Sequence, residues 1–164
     1  MSIVKRAILI IVVLVSCVGC DQVTKSIAVS DLPVDKPLSY LCDTVRLQLV
    51  YNRGVFLSMG SSLPEAWRVG VFTIGVSCLL LIVLIYVFLS KQQHSSLLLG
   101  VTLLLAGGVG NLFDRVTRGG LVVDFLNVGI GPVRTGIFNI ADIAITVGGL
   151  IFFWMILRQK QKGY

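Results

Sequence analysis

Apolar residues run along this chain in four long blocks. A helix needs about 20 mostly apolar residues to cross a bilayer, and each block approaches that length. The first opens after Lys5-Arg6 and continues through CDQVTKSIAV. The second, 69–89, contains no charge, and a short polar link separates it from the third, which ends near Asn111. The fourth carries Asn139 and Asp142 near its start and is stopped by RQKQKGY. The pattern predicts a single integral membrane domain with an all-α core of four transmembrane helices, over 7–28, 69–89, 97–113 and 136–157. Between them lie two outer segments, 30–68 and 114–135. In the first, Pro33, Pro37 and Pro64 punctuate the chain, and VRLQLVYN alternates apolar with polar residues in the period of a half-buried strand. A small extracytoplasmic β-sheet is therefore expected between the first and second spans, at the membrane surface.

Composition supports a membrane protein. Hydrophobic residues make up 55% of the 164 and charged residues 13%, with mean hydropathy +0.93. A soluble domain carries about a quarter charged residues, so this chain cannot cover a water-facing surface. The net charge of +6 is not a nucleic-acid signal, because the basic residues stand singly between apolar runs and form no stripe. They read as flank anchors and loop charges. Four spans put both termini on one side, and the density of Lys5, Arg6, Lys91, Arg158, Lys160 and Lys162 beside the spans makes that side cytoplasmic. Both outer segments then face outward.

The first block has a rival reading. Lys-Arg, an apolar run and then Leu14-Val15-Ser16-Cys17 resemble a lipoprotein signal sequence with its lipobox. The chain beyond this block is more membrane rather than a soluble domain, and Asp21 and Lys25 stand one turn apart on one face of a continued helix. A first span is the reading adopted. Small residues four apart, Ala106/Gly110 in the third span and Ala144/Gly148 in the fourth, would let those helices approach closely.

Of the four cysteines, Cys17 and Cys20 make a C-x-x-C inside an apolar helix, with no partner pair or neighbouring His, and read as small buried hydrophobes, while only Cys42 falls in a loop. His94, the only histidine, lies in the polar link as a solvated residue. No histidine is left for a Ser-His or Cys-His mechanism, and no HExxH, GxSxG or Walker loop occurs. No metal and no cofactor is expected.

The chemistry therefore rests on acids. Asp114, Asp124 and Asp142 are each embedded in apolar residues, where a carboxylate is expensive and is a functional hypothesis by default. Asn111, Asp114 and Arg115 share one helical face if the third helix continues that far, as do Asn139 and Asp142. With a helix starting near Gly136, Asp142 would sit about 9 Å below that start at 1.5 Å per residue. Glycines on either side of Asp124 would let its loop fold back over the helix ends. Two close carboxylates share one proton and can activate a water and protonate a leaving amine. An equally open alternative is an Asp142–Arg115 ion pair that merely holds helices together. Asp114, beside Arg115, reads as structural. A proton-coupled transporter using Asp124 and Asp142 as a relay is a third reading, although its site would belong near the midplane. A membrane-anchored lipoprotein without activity, cleaved before Cys17, is a fourth.

Five blocks in order then carry a resemblance over nearly the whole chain: DQVTK at 21–25, YNRG at 51–54, GNLFDR at 110–115, VVDF at 122–125 and FNIADIAI at 138–145. The chain resembles the lipoprotein signal peptidases (signal peptidase II). The resemblance implies a multi-pass aspartyl endopeptidase of the bacterial inner membrane, with its active site facing outward near the outer leaflet. It implies removal of signal peptides from prolipoproteins by hydrolysis just before a cysteine that already carries diacylglycerol. Asp124 and Asp142 would be the catalytic pair. Asn52, Gly54, Asn111, Arg115 and Asn139 would bind substrate, and Asp21, Lys25 and Asp114 would form a supporting polar cluster. The partners are prolipoprotein signal peptides and membrane lipids, with no nucleic acid, and the chain is expected to be a monomer. After YNRG the family usually shows small alanines, whereas Val55-Phe56-Leu57-Ser58 follow here.

Overall fold

Ser2 starts the first helix by accepting the Lys5 backbone N–H on its hydroxyl at 3.4 Å. α1 then runs unbroken over Ile3–Asp31, and Pro33 comes just after its end. The computed structural model describes residues 2–34, 36–54, 62–89 and 95–161. Val55, Phe56, Leu57, Ser58, Lys91, His94 and Lys162 lie outside them. After α1 come β1 (Leu38–Tyr40) and β2 (Val45–Asn52), and then α2 (Glu65–Val69), a π-helical turn (Gly70–Gly75) and α3 (Val76–Leu89). α4 covers Ser95–Thr117, β3 Val122–Ile130, β4 Val133–Arg134 and α5 Ile140–Gln161.

Among the described residues, four helical stretches are long and apolar enough to cross a membrane: Ile3–Asp31, Glu65–Val87, Ser95–Thr117 and Ile140–Arg158. α4 is the most buried and touches α1, α3 and α5. The others expose Ile, Val, Leu, Phe and Trp side chains outward, as helices solvated by lipid do. The Arg6 side chain donates to the Val87 carbonyl, which ties the start of α1 to the end of α3. The unbroken α1 carries the Leu14–Cys17 lipobox look-alike in mid-helix, and one turn later Asp21 and Lys25 are fully buried.

α4 and α5 make the most extensive helix contact in the protein, and glycine permits it. A Cβ on Gly107 would lie 2.3 Å from the Ala141 carbonyl oxygen, and one on Gly148 2.6 Å from that of Gly100. The tightest approach is thus at Gly107, between the two members of the small pair Ala106/Gly110, and Gly148 of the second pair is in close contact as well. Cys17 and Cys20 are not the buried pair that the sequence predicts. Cys17 is half-buried and Cys20 is exposed on the helix surface. An apolar thiol facing hydrocarbon has no water to escape, so burial is not required of it.

The small antiparallel sheet has strand order β1-β2-β3-β4. Its first two strands come from the segment between the first and second spans, and 122–134 supplies the other two. β2 pairs β3 with Val50 opposite Asp124 and Asn52 opposite Val122, after an irregularity between Leu47 and Val50. The stretch around Asp124, read as a folded-back loop, is this strand. Val122, Val123, Asp124 and Phe125 are all buried, so the strand is covered on both faces and lacks the alternation that marks a half-exposed one. Ala28, Leu49, Val123 and Phe125 form the core that seats the sheet on the helix ends.

The fourth helix also begins later than expected. It starts at Ile140, not near Gly136, because Phe138 is claimed by the sheet. Phe138 and Leu126 exchange backbone hydrogen bonds at 2.8 Å in each direction. Asp142 accordingly lies about 3 Å into its helix, at 1.5 Å per residue, instead of about 9 Å.

Candidate active site

Three helices meet the sheet around one buried cation. The Lys25 ammonium, fully buried, contacts Asp21 Oδ2 at 2.8 Å and Asp114 Oδ2 at 3.0 Å, and donates to Asn111 Oδ1 at 3.1 Å. Each acid also holds backbone. Asp21 Oδ1 accepts the Ala141 N–H at 2.9 Å, in the first turn of α5. Asp114 Oδ2 accepts the Val123 N–H of β3 at 3.0 Å. Removing one partner from such a buried set costs about 3–5 kcal/mol, because a desolvated charge is left behind. Four elements are thereby pinned at one point.

Next to this cluster stand three asparagines and two acids. Asn139 precedes α5 and its Oδ1 accepts the Asp142 N–H at 3.0 Å, while Asp142 Oδ2 accepts the Asn139 N–H at 3.1 Å. This is a capping box, and it holds Asp142 at a helix N-terminus, where the dipole favours a negative group. Asn111 Nδ2 donates to Asp142 Oδ1 at 2.9 Å. Asp124 accepts Asn139 Nδ2 at 2.7 Å on Oδ1 and Asn52 Nδ2 at 2.9 Å on Oδ2. Asn52 is the diagonal neighbour of Asp124 on the paired strand, which places both side chains on one face.

Asp124 is 3% exposed. Burial pushes its carboxyl up to about 6, with the nearby Asp142 adding to the rise and the Asn52 and Asn139 bonds opposing it. Arg115 is buried too, and its guanidinium donates to the carbonyls of Asn111 at 3.3 Å and Gly54 at 3.1 Å. Among the described residues no Arg115–Asp142 ion pair forms, so the structural reading of Asp142 loses its proposed bond. A cavity of about 470 Å³ is lined by both aspartates, by Asn52, Asn111 and Arg115, and by an apolar wall running down α5 through Ile143 and Val147. Two carboxylates on one cavity, one of them inclined to keep its proton, are equipped for acid–base hydrolysis.

The sequence profile of the family described as Signal peptidase (SPase) II matches residues 11–158. This chain belongs to the signal peptidase II family. The lipoprotein signal peptidase of Streptococcus pneumoniae is 32% identical over 97% of this chain and 98% of its own. That of Chlorobium phaeobacteroides is 34% identical over 87% of each. A solved bacterial membrane enzyme, determined by the in meso method at 2.3 Å, superposes with a TM-score of 0.83 at 26% identity, covering 94% of this chain and 91% of that one.

The five blocks that carry the signal peptidase II likeness lie in α1, at the end of β2, in α4, in β3 and around the start of α5, and they converge. Asp124, Asp142, Asn52, Asn111 and Arg115 reach the cavity directly. Asn139 stands behind its wall, as does Gly54, whose N–H donates to Asn52 Oδ1 at 2.8 Å. Asp21, Lys25 and Asp114 lie farther back, behind Asn111. Sequence reasoning missed Gln22, whose amide donates to Asp114 Oδ1 and to the Gly110 carbonyl, each at 3.2 Å. It also missed the cavity-lining Thr146 and Val147. These are four and five residues beyond Asp142 on α5, so helical periodicity held the signal.

Proposed function

We propose that Asp124 and Asp142 are the catalytic pair with which this aspartyl endopeptidase cleaves signal peptides from lipoprotein precursors. The observation that carries the reading is the two aspartates lining one cavity within a single asparagine network. Asp124 keeps a proton and Asp142 is the carboxylate. Water gives a proton to Asp142 as its oxygen attacks the scissile carbonyl carbon, while Asp124 donates its proton to the carbonyl oxygen. The tetrahedral intermediate collapses as Asp142 passes its proton to the leaving amine and Asp124 recovers one from a hydroxyl. Positioned proton transfer of this kind contributes about 10²–10⁴-fold in rate.

Asn52, Asn111 and Arg115, which line the cavity, hold the substrate backbone, while Asn139, buried behind the wall, holds the two acids rather than substrate, and Gly54 orients Asn52 and Arg115. Asp21, Lys25 and Asp114 support them. The substrate is a precursor whose lipobox cysteine carries diacylglycerol, cut just before that cysteine. The apolar wall through Ile143 and Val147 suits acyl chains beside the scissile bond. Lys5, Arg6 and Arg158 mark the cytoplasmic end of the helices, which turns the sheet and the acids outward, toward the outer leaflet of the bacterial inner membrane. The chain acts as a monomer and as one domain.

The test is cleavage by the purified enzyme of one precursor in two forms, with and without diacylglycerol on its cysteine. Product masses corresponding to a cut before the cysteine, from the lipidated form alone, are expected. Equal cleavage of the unlipidated form would sink the substrate assignment.

A further inference from the structure

Lys25 is fully buried on α1 and does not line the cavity. Its three N–H groups face three acceptors, Asp21 Oδ2, Asp114 Oδ2 and Asn111 Oδ1. An ammonium only donates, so the Asn111 atom in front of it is the oxygen. The nitrogen of the same amide then faces Asp142 Oδ1. A second donor-only group, the Asp142 backbone N–H, orients Asn139 in the same manner by occupying its Oδ1.

The hydrogens can be counted. Asn139 Nδ2 carries two and has three acceptors: Asp124 Oδ1 at 2.7 Å, Asn111 Oδ1 at 3.1 Å and the Val123 carbonyl at 3.2 Å. The short bond to Asp124 takes one hydrogen, and Asn111 competes with Val123 for the other. Lys25 has one hydrogen for each of its acceptors. It is the donor that can commit to Asn111.

Resting on the reading of Asp124 and Asp142 as the catalytic pair, we propose that Lys25 is a positioning residue that orients the Asn111 amide so that Asp142 stays the base. With the amide reversed, its oxygen would face Asp142 and favour a protonated acid there, leaving the pair without a carboxylate to accept water's proton. Arg115 from α4 and Asp124 from β3 are charged groups that interact with Asp142. The helix cap of Asn139 completes its surroundings.

The test compares wild type, Lys25→Met and the double variant Asp21→Asn/Lys25→Met. The double variant removes one buried negative charge along with the ammonium and keeps an oxygen for the Ala141 N–H. Thermal unfolding in detergent reports folding, and kcat, KM and the pH profile of kcat/KM are read on a lipidated precursor. Both variants are expected to lose about 10²-fold or more in kcat, the scale of a positioned base, with KM changed by less than about threefold. The acidic limb of their kcat/KM profile is expected to move up by about one pH unit, the scale of one lost hydrogen bond to a carboxylate.

A double variant with wild-type kcat and an unmoved limb would overturn the proposal, leaving Lys25 only to neutralise buried acids. Lower activity with an unmoved limb would overturn it too, as a merely structural effect. If neither variant folds, neutron diffraction from deuterated wild-type crystals decides. Deuterium on the Asn111 atom facing Asp142 supports the proposal, and deuterium on the atom facing Lys25 overturns it. Asp142→Asn is run alongside. Full activity in that variant would fail the catalytic-pair reading itself, while the neutron map still reports the amide independently.

Discussion

Asn139 and Asp142 bond each other twice, at 3.0 and 3.1 Å, in a cap that both starts α5 and aims Asp142 at the cavity. The same Asn139 reaches Asp124 with its amide nitrogen at 2.7 Å. One residue thus joins a helix start in the bundle to a strand in the sheet. Asn139→Ala removes a cap worth about 1 kcal/mol and leaves Asp124 short of a buried donor at a further cost of about 1–3 kcal/mol. A clear loss of thermal stability, with a larger proportional loss of kcat, is the expected outcome. Unfolding in detergent and turnover on a lipidated precursor measure the two.

Asp124 gives the pH dependence its sign. Its folded-state value of about 6 is raised above the ordinary carboxylate range, chiefly by burial. An acid raised on folding favours the folded state most at low pH, and that contribution is lost as pH rises through about 6. The proton used for catalysis is lost over the same range. kcat/KM, which reports the free enzyme, is expected to fall on the alkaline side with an apparent midpoint near 6. Asn52 donates to Asp124 and lowers its value, so Asn52→Ala should move that limb upward. A limb that moves downward would contradict the assignment.

Gly107 tests the helix contact. In a helix Ala is favoured over Gly by about 1 kcal/mol. Here an added Cβ meets the Ala141 backbone oxygen at 2.3 Å, and overpacking of this kind costs about 1–3 kcal/mol. The steric cost wins, because backbone cannot rotate away as a side chain can. Gly107→Ala is expected to lower the unfolding temperature and to cut activity by separating Asn111 from Asp142. Gly19, where an added Cβ meets nothing within 4 Å, is the control.

Much of this site was legible in the sequence, and the rest was hidden for physical reasons. Asp21 and Lys25, one turn apart, announced a shared face, and the face is the salt-bridged one. Asn111, Asp114 and Arg115 did the same, because α4 runs on to Thr117. β3 has no strand signature in the sequence, because Val122–Phe125 is buried on both faces and a run without alternation does not declare itself a strand. The sequence does not mark the start of α5, because 136–138 is as apolar as the helix itself. What keeps Phe138 out of that helix is Leu126, a partner on another element. Opposite charge suggests Asp142 as the partner of Arg115, whereas the guanidinium donates to carbonyls, one of them 61 residues away at Gly54. Local spacing reveals faces, and pairings across elements come only from the fold.

The central claim rests on two carboxylates, and isosteric amides test it most directly. Asp124→Asn and Asp142→Asn keep size and shape while removing the titratable carboxyl. Purified wild type and both variants are compared on a diacylglyceryl-modified precursor, with thermal unfolding to show that each is folded. Each folded variant is expected to lose about 10³-fold or more in kcat, as when one member of a catalytic unit is removed. Near-wild-type cleavage by either folded variant would contradict the pair and return that aspartate to a purely structural role.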